Sequence, residues 1–164
     1  MSEFTHIDPN GNAVMVDVSG KAITARTAVA TGRIAMNQDC YEAVKAGTMK
    51  KGDVLGVAQI GGIMGAKKTS DLIPLCHILN LTKCGVEFTF HDDVREIEAN
   101  CTVRCDGKTG VEMEALTGVS VALLTVYDMC KAIDKSMVIK DIHVIEKMGG
   151  KSGHFVYTKE DVHD

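Results

Sequence analysis

Asp128 and Lys131 have the side chains and the spacing to do chemistry. Three positions apart, they share one face of a helix. They follow Ala115–Tyr127, a thirteen-residue stretch without a formal charge. A charged pair leaving so apolar a run is costly unless it is paired or functional. As a pair they suit general acid–base work, with the ammonium also able to neutralise phosphate. An ordinary ion pair at a helix end, with Lys131 favoured by the negative end of the dipole, explains the same spacing. Spacing alone leaves both readings open.

Glu112 and Glu114 open the same segment. Glu114 and Asp128 are fourteen positions apart, about 21 Å along an ideal helix. A single small substrate does not reach both within one chain. Either the two ends serve different sites or a second subunit brings them together, unless the glutamates only complement the positive helix terminus.

Three lysine-bearing stretches could hold an anion through ammonium groups and turn amides. They are Lys50-Lys51, Lys67-Lys68-Thr69-Ser70-Asp71 leading to Leu75-Cys76-His77, and Lys147 with Gly149-Gly150-Lys151-Ser152. Solvated surface lysines would look the same. The last stretch is not a phosphate-binding P-loop, because Ile145 stands where that motif requires glycine and no helix is expected after it. Cys76 beside His77 is a poor nucleophile–base pair, since adjacent side chains commonly point apart. The six histidines form no i, i+4 pair, so no catalytic metal is expected.

These residues need elements to position them. Ala13–Val18 alternates as a short strand. Ala22–Met36 alternates as a longer one, with Thr24, Arg26 and Ala28 on one face. Asn37 caps a helix over Gln38–Ala46 that Gly47 closes. Asp53 caps a second helix running to about Lys68. Gly56, Gly61, Gly62 and Gly65 lie inside it, each costing about 1 kcal/mol relative to alanine. Close approach of another backbone, as at a subunit interface, would offset that cost; drift on a helix with stability to spare is the alternative. Thr69–Leu81 reads as a loop. Cys84–Phe90 and Glu96–Cys105 form a hairpin across His91-Asp92-Asp93, and Glu112–Asp134 forms the longest helix, buried on nearly all faces. A strand over Val138–Ile145 completes an α+β plan, with helices on one face of an antiparallel sheet.

Composition narrows the function classes. With 164 residues the chain suits one domain, 1–164. A net charge of −4 and 4% aromatics leave no broad basic or stacking surface for nucleic acid. The longest uncharged runs, thirteen residues each, fall short of the roughly 20 of a membrane span. Met1-Ser2-Glu3-Phe4 lacks the basic and apolar regions of a secretory leader. Six cysteines without zinc-type spacing are then expected to be free, mostly buried thiols of a cytoplasmic protein.

Three long stretches in order carry a resemblance: Lys51–His77 (KGDVLGVAQIGGIMGAKKTSDLIPLCH), Lys108–Lys131 (KTGVEMEALTGVSVALLTVYDMCK) and Gly149–Phe155 (GGKSGHF). Thr5–Asp8 and Met15–Ser19 fit as well. Over essentially its whole length the chain resembles the cyclic pyranopterin monophosphate synthase family, also called molybdenum cofactor biosynthesis protein C. The resemblance implies a ferredoxin-like α+β fold and a homohexamer of three dimers with sites between subunits. It also implies an activity: rearrangement of a cyclised dihydro-GTP intermediate to a cyclic pterin phosphate with release of pyrophosphate. No redox cofactor is implied; whether Mg2+ accompanies the triphosphate stays open. Position by position, Asp128 and Lys131 match the family's catalytic pair and Lys51 a further proton-transfer lysine. Leu75, Cys76, His77, Met113 and Glu114 match substrate-binding positions, and Glu112, Arg26, Lys67 and Lys147 match charged pocket positions. Ile78 stands where the family usually has proline, and Gly56, Gly62, Gly65 and Gly118 where alanine is usual. A nucleotide-binding module without turnover is the competing reading. Retention of Lys51, Asp128 and Lys131 together favours turnover.

Overall fold

In the computed structural model, which describes residues 5–158 and Glu160, the chain folds around one antiparallel sheet. The Met1–Phe4 opening lies outside the described residues. The sheet comprises β1 (Thr24–Ala35), β2 (Leu81–His91), β3 (Glu96–Gly107), β4 (Val138–Met148) and β5 (Phe155–Val156). Its order is β2-β3-β1-β4-β5. β1 thus reaches β2, and β3 reaches β4, by helical crossovers that skip one strand. Two interleaved split βαβ units of this kind give the expected ferredoxin-like α+β fold.

Period-two alternation sets the two faces. Ala28, Ala30 and Ile34 of β1 are buried together with Ile97, Ala99, Cys101 and Val103 of β3. The opposite face is polar, and on it Arg33 bridges Glu96 and Glu98. The β2–β3 hairpin closes on the pair His91↔Glu96, with Arg95 at positive φ in the turn.

Helices α1 (Gln38–Ala46), α2 (Val54–Lys67), a short α3 (Thr69–Leu72) and α4 (Glu112–Cys130) supply the other layer. Local chemistry sets their ends. Asn37 Oδ1 accepts from Cys40 N–H at 2.9 Å, Gly47 closes α1 in the left-handed region, and Asp53 Oδ1 accepts from Gly56 N–H at 3.0 Å. Of the α2 glycines, Gly61, Gly62 and Gly65 permit close approach, but of α4 of the same chain, while Gly56 faces only Asp53 of its own cap. A Cβ on Gly62 would meet the Gly118 carbonyl oxygen at 2.9 Å, and one on Gly118 would meet Cys101 Sγ at 2.5 Å.

Four expectations need correction. Ala13–Val18 is not a strand, and only an isolated bridge, Ile7↔Ala13, forms there. Its alternation meets no sheet edge; Val16 and Val18 line a cavity instead, and Val16 O accepts from the His77 ring at 2.7 Å. Thr69–Leu72, read as loop, is a helical turn that continues past Lys68. α4 stops at Cys130 rather than Asp134, because the Asp134 carboxylate turns to accept from Asn37 N–H and Ser136 N–H. Nor is α4 buried all round: Ala115, Val119, Ala122, Leu123 and Val126 are buried, but Leu124 is 57% exposed. By length and composition alone α4 could cross a membrane, yet here it packs on α2, β1 and β3 as the core helix.

Candidate active site

Both ends of α4 carry charged groups, and each end is built differently. At its start, the loop after α3 brings Leu75, Cys76 and His77 beside Glu112, Met113 and Glu114 around a cavity of about 290 Å³. His6, Val16 and Lys21, from the segment ahead of β1, wall its outer side. Val16 O can only accept, so His77 carries a proton on Nε2 and donates it to that carbonyl.

Glu114 is 4% exposed. Burial raises its pKa above the usual carboxylate range, opposed by its own backbone N–H and aided by the nearby Glu112 charge. A buried carboxyl facing a cavity suits a ligand that donates hydrogen bonds, such as the N–H edge of a guanine-type base. The Cys76 thiol is also pushed up, by burial and by the Glu114 charge, away from thiolate character.

A second cavity of about 570 Å³ adjoins the first and shares Lys21, Thr109, Gly110 and Glu112 with it. Arg26, Lys108, Lys147 and Lys151 add positive charge around it. Lys147 pairs with Glu112 at 2.5 Å, and Arg26 Nε donates to Gly107 O at 2.9 Å. Gly149 and Gly150 take φ of +97° and +76°. A Cβ on Gly150 would sit 2.3 Å from Arg26 Nη1, so glycine here leaves room for the guanidinium. Thr24 Oγ1 is buried with no protein hydrogen-bond partner among the described residues, and Thr24 lines this cavity. A hollow lined by Arg26, Lys108, Lys147 and Lys151 fits a polyphosphate.

The far end of α4 has no such walls. Lys131 Nζ meets Asp128 Oδ1 at 2.5 Å, and Lys51 Nζ donates to Asp128 O at 3.1 Å. The Lys131 and Asp128 side chains are 51% and 64% exposed. The Lys131 hydrogen bond, then the Lys131 and Lys51 charges, hold Asp128 below the usual carboxylate range. Asp128 in turn raises Lys131. Alone, the pair is a solvated ion pair whose pKa values move apart, whereas a lysine that exchanges protons near neutrality needs its pKa lowered by burial or by nearby cations.

Of the residues selected from the sequence, Leu75, Cys76, His77, Glu112, Met113, Glu114, Arg26 and Lys147 gather at the start of α4. Lys51, Asp128 and Lys131 gather at its end. Lys67 falls in neither group; it lines a neighbouring groove with Lys83 and Cys84. Lys21, Thr24 and Lys108 were missed. Thr24 read only as strand, Lys21 lay outside every assigned element and Lys108 only opened the second family stretch, although Lys108-Thr109-Gly110 directly before the helix was an available signal. Among the described residues no group of three His, Cys, Asp or Glu converges as a metal site would.

Residues 15–150 match the MoaC family. The chain is 56% identical over 155 residues to the cyclic pyranopterin monophosphate synthase of Clostridium botulinum (strain Alaska E43 / Type E3), covering 94% of this chain and 98% of that one. It is 56% identical over 156 residues to the protein of that name from Heliobacterium modesticaldum, covering 95% and 98%. For the one from Chloroflexus aurantiacus (strain ATCC 29366 / DSM 635 / J-10-fl) the identity is 55% over 152 residues, covering 93% of each.

Proposed function

The chain belongs to the MoaC family, and on that premise we propose that it is a cyclic pyranopterin monophosphate synthase of molybdenum cofactor biosynthesis. Its substrate is the cyclised dihydro-GTP intermediate, which it converts to the cyclic pterin phosphate with loss of pyrophosphate. The observation that carries this reading is the division of labour along α4. One end offers a buried carboxyl and a cationic hollow, suited to a purine-like base and a triphosphate. The other offers Lys51, Asp128 and Lys131, suited to moving protons.

Within one chain the two ends are about 21 Å apart, so the complete site takes the start of α4 from one copy and the end from another. An exposed apolar strip on the helix layer supports such a neighbour: Val57, Ile60 and Met64 of α2 with Leu124 of α4, between 48% and 60% exposed. Covering Lys51, Asp128 and Lys131 with a second copy would remove water from them. Burial and the mutual repulsion of two ammonium groups would then bring a lysine pKa toward neutrality. The working assembly is a cytoplasmic homohexamer of three dimers. Ring rearrangement, cyclic phosphate closure and pyrophosphate loss are redox-neutral, so the scheme uses no redox cofactor; Mg2+ is compatible with the triphosphate but is not required by these steps.

Incubating the purified protein with the cyclised dihydro-GTP intermediate tests the reading. Pyrophosphate and a pterin that turns fluorescent on oxidation should appear together and fail to appear with Lys131→Ala. Tight binding with neither product would make the protein a nucleotide-binding module instead.

A further inference from the structure

One buried carboxylate joins the chain segments that carry the proton-transfer groups, and the reaction itself does not use it. Asp134 is 3% exposed. Its Oδ2 accepts from Asn37 N–H at 2.7 Å, and its Oδ1 accepts from Ser136 N–H at 2.8 Å and the Ser136 hydroxyl at 2.6 Å. The Ser136 and Asn37 bonds hold Asp134 below the usual carboxylate range, so it is an anion at neutral pH.

Each side of this joint leads to part of the proposed machinery. On one side Asp134 N–H donates to Cys130 O at 3.2 Å, closing the turn that follows α4. Lys131 stands within that turn and Asp128 one turn before it. Tyr127 Oη donates to Lys135 O at 3.1 Å and braces the same turn. On the other side Asn37 is the cap of α1, and α1 leads through Gly47 and the Met49–Gly52 turn to Lys51. The buried Cys40 and Cys130 thiols meet between the two segments. The Asp128 and Lys131 side chains are more than half exposed, so the backbone beneath them sets where they reach from.

We infer that Asp134 is a positioning residue: by tying the end of α4 to the cap of α1 it sets Lys51 against the Asp128–Lys131 pair. The inference rests on the synthase reading. A misplacement of about 1 Å is enough to cost up to about 100-fold in rate.

The test compares wild type, Asp134→Ala and Ser136→Ala as assembled protein, following pyrophosphate release from the cyclised dihydro-GTP intermediate across pH. Asp134→Ala should lower kcat about 10- to 100-fold, with KM changed less than about twofold because the base and triphosphate cavities lie at the other end of α4. The limbs of the kcat–pH profile should also move. A smaller active fraction would scale the profile without moving it. Ser136→Ala removes one of the three bonds and should give a smaller loss with the same shift; it decides the matter if Asp134→Ala does not fold. A profile that is only scaled, or a kcat within about twofold of wild type, overturns the positioning role. An inert wild type would instead overturn the synthase reading, and this inference with it.

Discussion

The two ends of α4 solve opposite problems. At the start, Glu114 is buried beside a walled cavity and the cationic residues stand ready around a hollow; that end is formed in a single copy. At the far end, Lys51, Asp128 and Lys131 are in contact with one another but lie open to water. Recognition can be built by one chain because it needs only shape and fixed charge. Proton transfer near neutrality needs desolvation, which this chain does not supply to that end.

The sharpest way to break this comparison is to remove the open end. Lys131→Ala and Asp128→Asn should each lower turnover about 100- to 10,000-fold, read as pyrophosphate release, while circular dichroism and oligomer size stay unchanged. Loss of folding would make the pair structural. Mixing subunits sharpens the point. Lys131→Ala and Glu114→Gln proteins, each strongly impaired alone at limiting substrate, should regain up to about a quarter of wild-type activity after co-refolding, because half the random pairs are mixed and each holds one intact site. No recovery would place both ends in separate sites.

Next in size are changes at the closed end. Lys147→Ala should raise KM about 10- to 100-fold with a smaller change in kcat, since on the proposed reading it removes a charge-assisted contact to the triphosphate, and it leaves Glu112 unpaired. A kcat loss without a KM change would move Lys147 into the chemistry.

Glu114→Gln tests what the buried carboxyl costs. Its pKa is raised in the folded state, so the fold binds its proton more tightly than the unfolded chain does. That contribution to stability is present below the unfolded pKa and is lost as pH rises through the folded one. At neutral pH the substitution should therefore raise the melting midpoint by about 2–4 °C while weakening substrate binding. The gain should vanish at a pH below the normal glutamate value. A midpoint that falls at pH 7 would mean the carboxylate has a stabilising partner.

The smallest effect belongs to the packing beneath both ends. Gly62→Ala adds about 1 kcal/mol of helix propensity but places a methyl 2.9 Å from the Gly118 carbonyl oxygen, a backbone atom that cannot rotate away. The net result should be a midpoint lower by about 2–4 °C with KM unchanged. A rise would show that α2 and α4 can part at little cost.

Legibility from sequence varied with the range of the interaction. The helices of the α+β plan were placed to within a few residues by Asn37, Gly47 and Asp53, whose effects are local. Ala13–Val18 misled because alternation says that a strand is possible, not that a sheet edge is waiting. Asp134 was read as helix because its partner, Asn37, lies 97 positions away. The glycines of α2 did signal close approach, but only the packing named α4 as the neighbour.

By itself, then, the sequence determined the antiparallel α+β class, the long apolar helix with charges at both ends and, through three ordered motifs, the family. Residue types and short spacings are enough for these, because caps, periodicity and helix length act over a few residues. Tertiary structure decided which polar groups meet: Glu112 with Lys147, Lys51 with the backbone carbonyl of Asp128, His77 with the carbonyl of Val16, and Lys67 apart from them all. Those pairings join residues between 35 and 77 positions apart in the chain. No local rule reaches so far, and only the packing of α4 on the sheet brings them together.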